Sequence, residues 1–176
     1  TSGRKASAFE QRSEVIELQP DMCSLTLSSL NFMNQASINA PDMIIALAEK
    51  MKAYGVKPEL ECFHMGMINY AKYLIRKEML EPPFYWNILF GNIAGMQAEL
   101  TQIGNAIREI NDYRKTNHFI SMAGLGDDQL KVNAILSDLS GIQISGKIPG
   151  QDLYLKVNDE EPLLLNEYFF ASNGNY

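Results

Sequence analysis

Cysteine and histidine are scarce in this chain of 176 residues, with two of each. Two cysteines cannot build a disulfide framework, and Cys23 and Cys62 sit inside apolar stretches, where a reduced, buried thiol is the common state. A run of the roughly 20 apolar residues needed to span a bilayer is also missing, and the opening "TSGRKASAFEQRSE" has no apolar core of a signal peptide. A membrane partner is not expected, and a cytoplasmic location is. Nor is there a basic excess. The net charge is -6, with acidic residues scattered among the lysines, whereas nucleic-acid binders gather Lys and Arg on one face. Nucleic acid is excluded as an expected partner.

The residues present are 46% hydrophobic, enough for one domain with a sizeable core. From residue 21 onward, short β-prone runs alternate with stretches of helical period. "DMCSLTL" precedes "PDMIIALAEKMKAYG", where Ile44, Leu47, Ala48 and Met51 share one face. Pro41 and Asp42 suit the first turn of that helix and Gly55 its stop. "VKPELECF" precedes a helix with Met67, Tyr70, Ala71 and Leu74 in line. "PFYWNILFG" precedes one with Leu100, Ile103, Ile107 and Ile110. "HFISMAG" and "DDQLKVNAILSDLS" then lead to a fifth strand, "GIQIS". Buried strands separated by helices predict an α/β fold with a parallel sheet.

The apolar runs end in polar or small residues, as in "SLTLSSLNF", "ECFHMG", "FGNIAGM" and "AGLGDD". Barrels build their sites at such strand ends. A (β/α)8 TIM barrel is therefore the expected architecture, ahead of a doubly wound sheet. Five strands and a stub at "TSGR" fall short of eight, so a partial barrel lacking the first strands is expected over residues 1–155, with a tail at 156–176 of unassigned structure. "LLLNEYFF" in that tail suits a strand or a short helix. "AGLGDD" has the spacing of neither common nucleotide-binding loop. His64, before a Met-Gly turn, is either a pocket residue or, as a lone histidine more often is, a structural one.

The order of "TSGR", "PDMCSLTLSSLNF", "GVKPELECF", "EPPFYWNILFGNIAGM" and "SMAGLGDDQL" resembles the beta-keto acid cleavage enzyme family from Thr1 to about Gly141. That resemblance implies a zinc-dependent barrel, which transfers the acyl part of a beta-keto acid to the CoA of acetyl-CoA and releases acetoacetate. A metal there polarises the keto oxygen while a carboxylate and hydroxyls manage the proton and the developing charge. Ser2 and Thr26 fall at hydroxyl positions of the family's strand ends, and Glu61 at an acidic position suited to a substrate amine or a basic neighbour, for which Lys147 is the candidate. Anchored on "QDLYL", Asp152 falls at the acid/base carboxylate.

The family's His-x-His metal pair has no counterpart in the sequence, and its metal glutamate falls on Gln151 or Lys147, depending on register. A neutral Gln oxygen is a poorer divalent-cation ligand than a carboxylate, and Lys cannot reproduce the fork of the family's Arg. Two readings follow: an acyl-exchanging enzyme with acetyl-CoA as co-substrate, or a non-catalytic remnant that binds or oligomerises. Exposed apolar strand edges predict a homo-oligomer or a complementing chain in either case.

Overall fold

The computed structural model describes residues 8–111, 117–126, 128 and 131–132, and the backbone of 143–145, 154–156 and 163–164. In chain order the elements are α1 (Phe9–Ser13), a 3-10 turn (Glu14–Leu18), β1 (Met22–Thr26), β2 (Leu30–Asn31), β3 (Ala36–Ser37), α2 (Pro41–Tyr54), β4 (Lys57–Cys62) and α3 (Met65–Arg76). They continue with β5 (Phe84–Phe90), α4 (Leu100–Asn111), β6 (His118–Gly124), β7 (Gln143–Ser145), β8 (Tyr154–Lys156) and β9 (Leu163–Leu164).

Helix α2 shows local rules at work. Pro41 opens it with a preset φ and no N–H to satisfy, and Asp42 accepts a hydrogen bond from the Met43 amide at 2.8 Å. Gly55 ends it at φ 72°, where its amide reaches the Lys52 carbonyl and the Val56 amide reaches that of Met51. Its buried residues are Ile44, Leu47, Ala48 and Met51, the face expected from the spacing. Helix α3 buries Met67, Ala71 and Leu74 as expected, with Ile68 and Lys72 beside them, while Tyr70 is half-buried. Helix α4 departs further. Ile103, Ala106 and Ile110 are buried and Ile107 is half-buried, but Leu100 is 55% exposed. It is the first residue of the helix, and a terminal turn overhangs the layer it packs on.

Strands β1, β4, β5 and β6 form one parallel sheet in that spatial order. The order never reverses along the chain, so the sheet has none of the switch points of a doubly wound fold. Right-handed crossovers that always step the same way lay their helices on one face. The result is a partial α/β fold of TIM-barrel type, as the sequence predicts. Leu25, Leu60, Trp86 and Ile88 from the strands and Leu47, Met51, Met67, Leu74, Ile103 and Ile110 from the helices belong to a single buried core. No helix among the described residues is long and apolar enough to cross a membrane.

The fifth expected strand differs. Gln143–Ser145 pairs antiparallel with Tyr154–Lys156, which pairs antiparallel with Leu163–Leu164, in a separate three-stranded sheet. A parallel pairing needs a crossover of a dozen or more residues, whereas the short link from β7 to β8, with Gly146, Pro149 and Gly150, suits an antiparallel return. Part of "LLLNEYFF" is thereby a strand.

Candidate active site

Side chains alternate across a strand, so each strand of the parallel sheet offers one set to the helices and another to the opposite face. In β1, Cys23 and Leu25 are buried, while Ser24 and Thr26 take the other face. The register then carries that face across the sheet. Thr26 is paired with Glu61, Glu61 with Asn87, and Asn87 with Ser121, one polar residue from each of four strands. One step toward the N-terminal edge, Ser24, Glu59, Tyr85 and Phe119 make the next row.

Both carboxylates of β4 accept hydrogen bonds from neutral side chains of neighbouring strands. Thr26 Oγ1 donates to Glu61 Oε2 at 2.5 Å. Ser24 Oγ donates to Glu59 Oε2 at 2.8 Å, and Asn87 Nδ2 donates to Glu59 Oε1 at 2.6 Å. Glu59 is thus tied to the strands on both sides of its own, and it is buried. Burial without such donors is costly for a carboxylate. Asn87 Oδ1 is itself buried and has no hydrogen-bond partner among the described residues.

Next to Glu61 on β4, Cys62 is fully buried; burial first, and then the Glu61 charge, push its thiol well above the ordinary value. Such a thiol is a packing group rather than a nucleophile, and Cys23 is likewise buried and reduced, as expected. His64 follows β4 at the C-terminal rim. Burial lowers its pKa, so the ring is neutral near pH 7, and it lies against Gly66, where an added Cβ would stand 3.1 Å from Nδ1. His118 lies at the start of β6, paired with Phe84 at the opposite end of the sheet, so the two histidines do not converge.

The loop after β5 is closed on itself. Asn92 Oδ1 accepts from the Ala94 amide at 2.7 Å, and Gln97 Nε2 donates to the carbonyls of Asn92 and Gly95 at 2.8 and 3.0 Å. The Met96 amide donates to the Phe63 carbonyl at 2.7 Å, and a Cβ on Gly95 would lie 2.6 Å from that oxygen. At Gly91, with φ 88°, the Asp128 carboxylate occupies the space a side chain would need. Across the sheet, Arg12 Nη2 donates to Asn39 Oδ1 at 2.5 Å, and Asn39 donates to the Ser28 carbonyl at 3.1 Å, tying α1 to the segment after β1. Phe32, between β2 and β3, meets Phe63 edge-on with ring centroids 5.6 Å apart.

Of the residues singled out from the sequence, Thr26 and Glu61 are brought together, in direct contact. Ser2, Lys147, Gln151 and Asp152 lie outside the described residues. Among the described residues no three His, Cys, Asp or Glu side chains gather as a metal-binding group, so these residues alone do not fit the zinc set that the resemblance implies. Ser24, Glu59, Asn87 and Ser121 were missed. Asn87 and Ser121 each stand as a lone polar residue within an apolar run, "FYWNILF" and "FISMAG", although the run alone does not say which face they take; Ser24 and Glu59 carry no such signal.

A family model described as beta-keto acid cleavage enzyme matches residues 1–142. The chain is similar to the 3-oxoadipate:acetyl-CoA acetyltransferase of Cupriavidus necator, with 28% identity over 141 residues that cover 80% of this chain and 49% of that protein. It is similar to the 3-keto-5-aminohexanoate cleavage enzyme of Acetoanaerobium sticklandii, 33% identical over 99 residues, covering 56% and 36%. A third relative is the 3-dehydrocarnitine:acetyl-CoA trimethylamine transferase of Rhizobium meliloti, 33% identical over 88 residues, covering 49% and 29%. The chain spans half or less of the length of these relatives. Among solved structures, the apo structure of ObcA superposes with a TM-score of 0.55 at 15% identity, covering 69% of this chain and 32% of that one, a likeness of fold.

Proposed function

Because the chain belongs to the beta-keto acid cleavage enzyme family, we propose that it takes part in acyl exchange between a beta-keto acid and acetyl-CoA, with acetoacetate as the second product. The observation that carries this reading is the Thr26–Glu61 contact within a polar row that crosses four parallel strands. A barrel-type sheet presents such a row to its ligand at the C-terminal ends of its strands.

Thr26 and Glu61 act as a unit. While Glu61 is anionic, the Thr26 proton is committed to it, and the hydroxyl offers lone pairs to a substrate donor. A substrate ammonium or a basic neighbour that engages Glu61 frees Thr26 to turn its proton toward a keto or carboxylate oxygen, where it stabilises developing charge. In this reading Ser2 is a second hydroxyl donor, Asp152 the acid/base carboxylate and Lys147 the basic neighbour of Glu61. Zinc, where the family uses it, polarises the keto oxygen. No step is assigned to zinc here, since the metal carboxylate position falls on Gln151 or Lys147 and the sequence has no His-x-His pair.

A panel of beta-keto acids incubated with acetyl-CoA, with and without added zinc, tests the reading by acetoacetate release. Turnover is expected, and Thr26→Val is expected to lower kcat/KM about 100-fold, the smaller end of what a placed hydrogen-bonding group contributes. A second reading is a non-catalytic binding or oligomerising module, and what supports it is that the metal carboxylate position falls on Gln151 or Lys147. No acetoacetate under any condition would install that one.

A further inference from the structure

Strand β1 carries Thr26 yet has one neighbour, β4, among the described residues. Its ladder runs out just past Thr26, where the Leu27 amide reaches the Glu61 carbonyl at a long 3.4 Å. Beyond that rung the polar hold on the strand end comes from Asn39, just before α2. The Asn39 backbone amide donates to Ser29 Oγ at 2.8 Å, and its Nδ2 donates to the Ser28 carbonyl at 3.1 Å. Arg12 sets which way the Asn39 side chain faces. Its Nη2 donates to Asn39 Oδ1 at 2.5 Å, and a flipped amide would put Nδ2 against the guanidinium and Oδ1 against the Ser28 carbonyl. Nη1 donates to the adjacent Ile38 carbonyl at 3.1 Å, so the fork grips two successive residues. Both side chains are buried, both acceptors of Arg12 are neutral, and its Nε has no partner among the described residues. A buried guanidinium on neutral oxygens is a costly way to hold a segment in place, and apolar packing would hold it as firmly. What the fork adds is direction.

We propose that Arg12 and Asn39 are positioning residues for the Thr26 hydroxyl. Neither hydrogen-bonds to the polar row; both act through the end of β1, at Ser28 and Ser29. With those two residues fixed, the backbone at Thr26 cannot swing about its last firm rung, and Oγ1 stays aimed at Glu61 Oε2 and at the substrate oxygen it serves in turn. A misplacement of about 1 Å at such a group costs on the order of 100-fold in rate. The inference rests on the beta-keto acid reading above and adds the residues that aim its hydroxyl.

The test is a double-mutant cycle on the full 176-residue chain, read as acetoacetate release from acetyl-CoA with 3-oxohexanoate, 3-oxoadipate or 5-amino-3-oxohexanoate. Asn39→Asp keeps an acceptor for Arg12, now an anion, but loses the donor to the Ser28 carbonyl. It is expected to fold, with its urea midpoint kept by the new ion pair, and to lower kcat/KM about tenfold, within the range for a displaced catalytic group. In Thr26→Val/Asn39→Asp the second substitution should cost nothing beyond Thr26→Val alone, because there is no hydroxyl left to aim. If Asn39→Asp fails to fold, as judged by circular dichroism, Arg12→Lys replaces it: a point charge cannot serve both acceptors of the fork, and a smaller loss that also vanishes beside Thr26→Val is expected. An undiminished rate in the folded variant, or a loss that adds in full to that of Thr26→Val, would overturn the inference while leaving the beta-keto acid reading in place. No release from any of the three acids by the unsubstituted chain would overturn the reading itself, and the inference with it.

Discussion

Glu59 joins three strands through two hydrogen bonds, and nothing in the local sequence around it announces that task. Its removal has a computable sign. Glu59→Ala strips Asn87 of the only partner of its amide nitrogen among the described residues while its oxygen already has none, and it removes the hydrogen bond that Ser24 donates to Glu59. A loss of about 2 kcal/mol is expected, at the middle of the range for stranded buried polar groups. Urea denaturation followed by circular dichroism measures it, and an unchanged midpoint would show that the clamp contributes nothing. Periodicity brought out Thr26 and Glu61 only with the help of the family resemblance. Asn87 and Ser121 stayed hidden because a continuously apolar run does not say which of its residues face a ligand; that requires the register of four strands far apart in the chain.

Helices were easier to read than strands because their signals are local. Pro41, Asp42 and Gly55 mark both ends of α2, and a 3.6-residue period gives its buried face. What periodicity did not give was helix-to-helix contact. Lys72 of α3 is buried along its stem and sends its amine to Glu109 of α4 at 2.5 Å. The hydrogen bond from Lys72 and then its charge lower the pKa of Glu109 below the ordinary value of 4.5. With the folded value depressed, the contribution to stability is full above the unfolded pKa and is lost as pH falls through the folded one. Glu109→Gln should therefore lower stability at pH 7, by less than about 1 kcal/mol because the carboxylate is 43% exposed. The gap should close in acid. Thermal melts of both proteins from pH 7 down to pH 3 check the sign, and a gap that widens in acid would contradict it.

At the scale of the whole molecule, the alternation of strands and helices was legible and its last member was not. Four parallel strands came in the expected order, whereas β7 turned into an antiparallel sheet, a choice set by its pairing partners rather than by its own residues. The parallel sheet has β1 and β6 as its outer strands among the described residues, and such edges accept further strands. We propose self-association on that basis. Light scattering after size exclusion is expected to give a mass above that of one chain, rising with concentration. A monodisperse monomer with one cooperative unfolding transition would refute it.

The closed loop after β5 bears on timing as well as shape. Its amides and carbonyls are committed among themselves and to Phe63, so bending it would break several hydrogen bonds together. A segment of that kind serves as a doorpost and not as a door. If the polar row takes a substrate as proposed, this loop keeps its shape as ligands pass, and a turnover rate limited by loop opening would have its hinge elsewhere in the chain.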